Sequence, residues 1–114
     1  MQFSKELVKG STAMLVLNVM QKGDLYGYQI IKELETVSEK AFVMNEGTLY
    51  PILHALEKEK YLESYWEETL SARKRKYYRL TDRGRKELAK KRTEWEQYSS
   101  AVEKVLKGAM NYAR

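Results

Sequence analysis

The side chains of this 114-residue chain that could carry out bond chemistry are few. There is no cysteine and a single histidine, His54. Disulfides, thiolate metal sites and thiol nucleophiles are therefore excluded. His54 has no second histidine with which to share a metal, and no partner set that would make it a catalytic base or a pH sensor. No glycine-rich phosphate loop, carboxylate cluster in an apolar setting or nucleophile–base pair is visible, so an enzyme is not expected. No cofactor and no metal are expected either. The chemistry that remains is binding. Arg73, Lys74, Arg75 and Lys76 are four consecutive cations, the residue types that meet phosphate oxygens. Thr48, Tyr50, Pro51, His54 and Lys58 recur at the spacing of one helix face.

The charge is unevenly distributed. Residues 1–68 carry a net −4, residues 69–92 a net +9, and residues 93–114 none. A solvated face usually mixes signs, whereas this basic block of 24 residues barely does. It is the electrostatic footprint of a protein that meets a polyanion. A bare solubilising surface is the alternative. No segment approaches the ~20 apolar residues of a membrane span. No signal peptide opens the chain, so the expected address is cytoplasmic, with no membrane partner.

The elements that must position these residues follow from periodicity and caps. Residues 5–21 read as one helix, apolar nearly all round and hence central to the core, with Ser4 as N-cap. Lys22-Gly23-Asp24 ends it, with Gly23 suited to a left-handed C′ position. Residues 26–38 read as a second helix, on Ile30, Leu34 and Val37. Residues 46–59 read as a third, capped by Asn45, with Leu49, Leu53 and Leu56 inward and Pro51 inside it. Residues 61–67 and 75–80 are aromatic and alternating, and predict two antiparallel strands joined by a polar, basic connection. Trp66 shares the parity of Leu62, which places it in the core or at its rim. Thr81 caps a last helix over 82–110. Within it Leu88, Arg92, Trp95, Ser99, Val102, Leu106 and Ala109 step alternately by four and three, a heptad seam. A helix that long cannot bury its seam on so small a domain. The simplest partner is a second copy of the chain.

Three helices followed by a β-hairpin make a winged helix-turn-helix, a mainly α fold with a small antiparallel hairpin. Here it is extended by the C-terminal helix. In that arrangement the third helix enters a DNA major groove and the wing touches the backbone. Winged domains also dock onto proteins, so a protein–protein module without DNA binding stays open as the alternative.

The residues also carry a resemblance. Leu25-Tyr-Gly-Tyr-Gln-Ile, Glu46-Gly-Thr-Leu-Tyr-Pro-Ile-Leu-His-Ala-Leu-Glu and Arg75-Lys-Tyr-Tyr-Arg-Leu-Thr-Asp-Arg-Gly resemble the PadR family of bacterial transcriptional regulators. The single C-terminal helix is similar to the short branch that includes a lactococcal multidrug-resistance regulator. The resemblance implies a DNA-binding unit over 1–81 and a dimerisation helix over 82–114. It implies a homodimeric repressor on an inverted-repeat operator in double-stranded DNA, released by a small molecule, often a phenolic acid or a drug. Tyr28 joins Thr48, Tyr50, Pro51, His54, Lys58 and the four wing cations in the DNA-facing set. The resemblance also points to Trp95 as lining a drug-binding pore between the subunits, with Met14 and Asn18 as walls. Ser99 beside Trp95 is small and polar, which would keep the site from closing as a dry core. A dry dimer core at Trp95 is the alternative. Two departures stand out. Many members have glycine at the position of Lys60, and many have a glycine in the wing tip, where this chain reads Leu70-Ser-Ala-Arg-Lys-Arg-Lys.

Overall fold

In a computed structural model, residues 3–112 are described, with side chains over 3–108. Two short helices come first, α1 (Lys5–Lys9) and α2 (Thr12–Val19), followed by a single 3₁₀ turn at Met20–Lys22. The continuous helix expected over 5–21 is thus broken at Gly10-Ser11. Glycine weakens a helix, and two hydroxyls compete for the backbone there. Ser11 Oγ and Thr12 Oγ1 both donate to the Val8 carbonyl, at 3.1 and 2.9 Å, and the Ser11 N–H reaches the same oxygen at 3.0 Å. Ser4 caps α1 as expected, accepting from the Leu7 N–H at 3.3 Å.

Gly23 turns the chain with φ 150° and ψ −171°, an extended glycine conformation rather than the left-handed helical one expected. It feeds strand β1 (Leu25–Tyr26), which is followed directly by α3 (Gly27–Val37). After α4 (Glu46–Lys58) come strands β2 (Leu62–Glu68) and β3 (Lys74–Leu80), and then α5 (Asp82–Tyr112). The sheet therefore has three strands in the order β1-β3-β2, all antiparallel, where only the hairpin was expected. Two residues are too short to show a period of two. β1 forms because β3 offers a free edge to Leu25 and Tyr26 opposite Tyr78 and Tyr77.

The core is built from one side chain set per element. Val16, Leu17, Val19 and Met20 come from the α2 end, Ile30 and Leu34 from α3, and Leu49, Leu53 and Leu56 from α4. Leu62, Tyr78 and Leu80 come from the sheet, and Leu88 from α5. α5 leaves that core after Leu88 and projects, so the molecule measures 67 × 30 × 21 Å. Its first turn is seated by Thr81 and Gly84. Thr81 Oγ1 donates to the Lys60 carbonyl at 2.7 Å and accepts from the Gly84 N–H at 2.9 Å. A Cβ on Gly84 would stand 2.1 Å from the Tyr61 carbonyl oxygen.

Candidate nucleic-acid interface

α4 begins at Asn45, whose Oδ1 accepts from the Thr48 N–H at 2.9 Å. Its inner face buries Leu49, Leu53 and Leu56, and this fixes what points outward. Thr48, Tyr50, Pro51, His54 and Lys58 are all exposed. Pro51 leaves the helix unbroken, and the Gly47 carbonyl loses its usual N–H partner there. Tyr50 is held at the rim of this face. Its hydroxyl lies 3.1 Å from where a Cβ on Gly27 would be, so the glycine in Leu25-Tyr-Gly makes room for the ring. Tyr28, exposed at the start of α3, carries the Lys32 ammonium 5.7 Å from its ring centroid.

The wing is the β2–β3 hairpin. Its turn is closed by the Thr69 N–H on the Arg73 carbonyl at 2.8 Å and the Ala72 N–H on the Thr69 carbonyl at 3.1 Å. Ala72 takes φ 64°, a conformation that favours glycine, and Lys60 takes the same φ at the C-terminus of α4. Lys60 and Ala72 thus hold a glycine-favouring backbone conformation with a side chain present. Leu70 stands fully exposed at the tip.

The four cations separate by strand parity. Arg73 and Lys74 are exposed at the tip, and neither has an ion-pair partner among the described residues. Arg75 points to the outer face of the sheet, its guanidinium 4.3 Å from the Tyr26 ring centroid. Lys76 points to the inner face, half-buried, with Nζ 3.6 Å from Glu57 Oε1 of α4. Of the four cations, Lys76 is the one paired with a carboxylate among the described residues. Glu67 and Glu68 lie opposite Arg75 and Lys74 in register. Trp66 faces inward with Leu62 but beyond the core, and it is 63% exposed rather than packed.

The outer sheet face is aromatic. Tyr77 meets Tyr26 edge-on at 5.4 Å and stacks on Tyr65 at 5.7 Å. Tyr65 donates to Asp24 Oδ2 at 2.7 Å, and this bond holds its phenol above the ordinary range. Arg79 donates to the same oxygen at 3.3 Å and to Glu63 Oε1 at 3.2 Å. This network ties the turn before β1 to β2 and β3.

On α5, Leu88 is already buried in the core of its own chain at 1% exposure, so it is not open to a second chain. The apolar stripe left uncovered begins at Trp95, 47% exposed, and runs through Val102 and Leu106. Tyr98 and Val105 widen it, and the strict seam overlooked them although they sit three residues from Trp95 and Val102. The Ala109 side chain lies outside the described residues. Ser99 is half-buried and donates to the Glu96 carbonyl at 3.3 Å. Met14 is half-buried against the core. Asn18 is exposed, because α2 turns its Val16, Leu17 and Val19 sides to the core. Among the described residues no helix is long and apolar enough to cross a membrane. Sequence reasoning also missed Glu57 and Ser64, whose side chains meet between α4 and the wing. Their spacing of seven in sequence, across a turn, gives no periodic signal.

Helices α2 to α4, the hairpin and its third strand define a winged helix-turn-helix. Residues 16–90 match the transcriptional regulator PadR-like family, and the chain belongs to that family. It is a transcriptional regulator of the DNA-binding kind, and not an enzyme. A transcriptional regulator from Clostridium thermocellum is 33% identical, with a TM-score of 0.82 over 88% of this chain and 97% of that one. A PadR family regulator from Eggerthella lenta is 35% identical, with a TM-score of 0.80 over 89% and 86%. A PadR-like regulator from Bacillus cereus is 28% identical, with a TM-score of 0.75 over 90% and 97%. An uncharacterised protein of Lysinibacillus sphaericus is 29% identical over 103 residues, which is 90% of this chain and 94% of that one.

Proposed function

We propose that this protein is a homodimeric repressor that binds an inverted-repeat operator and leaves it when a small aromatic compound binds. Residues 1–81 form the DNA-binding unit and residues 82–114 the dimerisation helix. The observation that carries this reading is the pairing of two exposed surfaces on adjoining elements. One is the Thr48–Tyr50–Pro51–His54–Lys58 face of α4, and the other is the basic wing of Arg73, Lys74 and Arg75. The α4 face enters the major groove and reads base edges, with Tyr28 at its side. The wing cations meet phosphate and release counterions. The stripe from Trp95 to Leu106 needs an apolar cover, and a second copy of α5 supplies one. The two α4 helices then sit about one turn of DNA apart, roughly 34 Å, or a multiple of it.

Ligand release is the finer part of the proposal. Trp95 and its symmetry mate offer two indole faces near polar Arg92 and Ser99, suited to a flat aromatic or cationic drug or to a phenolic acid. Met14 and Asn18 are its proposed walls. A compound wedged between the α5 helices changes the distance between the α4 helices, so it must bind the operator-bound dimer more weakly by the same factor that it weakens DNA binding. The test is a binding titration of an inverted repeat from upstream of the gene against a random duplex. Selective binding of the repeat supports the reading. Equal binding of both duplexes, or of neither, removes the operator claim, and binding of neither favours a protein-docking module.

A further inference from the structure

We propose that Glu57 is a positioning residue that locks the wing to α4, and that it withdraws Lys76 from the phosphate-binding set. The inference rests on the DNA-binding reading for its consequence but not for its geometry. Glu57 is the inner-edge carboxylate of α4, one residue past Leu56 in the core. It receives both strands of the wing. The Ser64 hydroxyl of β2 donates to Glu57 Oε2, and Lys76 Nζ of β3 lies 3.6 Å from Glu57 Oε1. Ser64 stands opposite Tyr78 in the ladder, and Tyr78 is two residues from Lys76, so all three side chains share the inner face. The Lys76 ammonium also lies 5.5 Å from the centroid of the buried Tyr78 ring. Lys76 and Glu57 expose only 29% and 31% of their side chains. Removing either partner from such a half-dry site leaves the other charge short of both water and a counter-charge.

The consequence concerns recognition. A helix that reads bases and a wing that grips phosphate must engage together, and ordering them beforehand removes an entropic cost of binding. The lock does this at the junction of the two elements. It also leaves Arg73, Lys74 and Arg75 to set the salt dependence.

Two measurements on the full chain test the proposal. The first is amide hydrogen exchange of residues 64–76 without DNA. Glu57→Ala is expected to raise exchange across the wing at least tenfold, with unchanged helix content. Glu57→Gln keeps an acceptor for Ser64 and is expected to restore most of the protection. Glu67→Gln, on the outer face, is expected to change nothing. The second is the salt dependence of binding to a 30-base-pair random-sequence duplex, the probe used because it needs no operator. Lys76→Gln is expected to leave the slope of log K against log salt unchanged. Lys74→Gln flattens it by about 0.9 for each phosphate no longer neutralised. Glu57→Gln frees Lys76, so it steepens the slope and tightens random-duplex binding a few-fold. Equal wing exchange in Glu57→Ala and wild type overturns the lock. A Lys76→Gln slope as flat as that of Lys74→Gln overturns the withdrawal of Lys76. If the wild type ignores duplex DNA altogether, the DNA-binding reading fails, while the exchange result still decides the lock.

Discussion

Lys60 and Ala72 hold left-handed backbone without being glycine, at φ 64° each. An L-residue there is strained by about 1–2 kcal/mol, partly offset in a glycine variant by the greater freedom of its unfolded chain. Lys60→Gly and Ala72→Gly are each expected to raise the stability by about 0.5–1 kcal/mol in urea melts. Gly84 is the reverse case. A Cβ there would sit 2.1 Å from the Tyr61 carbonyl, so α5 must move to admit it. Gly84→Ala is expected to lower stability by about 2–3 kcal/mol in the same melts. Tyr78 gives a pH dependence. Burial chiefly, and then Glu57 and Tyr50, push its phenol above the ordinary range. The unfolded chain therefore loses that proton first, near pH 10. The stability that Tyr78 contributes is fully present below about pH 10 and is lost as pH rises through its higher folded value. Thermal melts across pH 8–11, roughly, are expected to fall at the alkaline end, and less so in Tyr78→Phe.

Among the elements, what was legible followed from period and caps. Leu49, Leu53 and Leu56 fix α4 to within one residue, and Asn45 and Thr81 cap α4 and α5 as their side chains suggest. The alternating aromatic runs mark the hairpin. What was not legible depended on tertiary partners. β1 exists only because β3 has a free edge, and the α1–α2 break depends on two hydroxyls choosing the Val8 carbonyl. Strand parity separates Lys76 from Arg75, yet only the position of Glu57 shows that the inner-facing cation is engaged. Thr81 joins three elements at once. Thr81→Ala removes bonds to Lys60 and Tyr61 and the cap on Gly84, and is expected to cost about 1–2 kcal/mol in chemical denaturation.

The whole molecule is a small core with an arm. α5 spans 31 residues, about 46 Å, and only its first turns are covered by the core of its own chain. The heptad steps mark an exposed apolar stripe but not its start, because Leu88 fits the same period while serving the core of its own chain. Under the dimer proposal, charge placed in the stripe separates the subunits. Val102→Asp is expected to yield a slower-sedimenting species with weakened affinity for DNA, since two half-sites no longer act together. A folded wild-type monomer at micromolar concentration would contradict the dimer. In the DNA-binding proposal, α4 and the wing form one DNA-reading surface. The sharpest check is the salt-dependent affinity of wild type and of Arg73→Ala/Lys74→Ala/Arg75→Ala for the inverted repeat and for a random duplex. The triple variant is expected to bind both duplexes more weakly, with a salt slope flatter by about 0.9 for each phosphate no longer neutralised. His54→Ala should instead weaken only the repeat. Unchanged slope and affinity in the triple variant would contradict a DNA-reading surface that includes the wing.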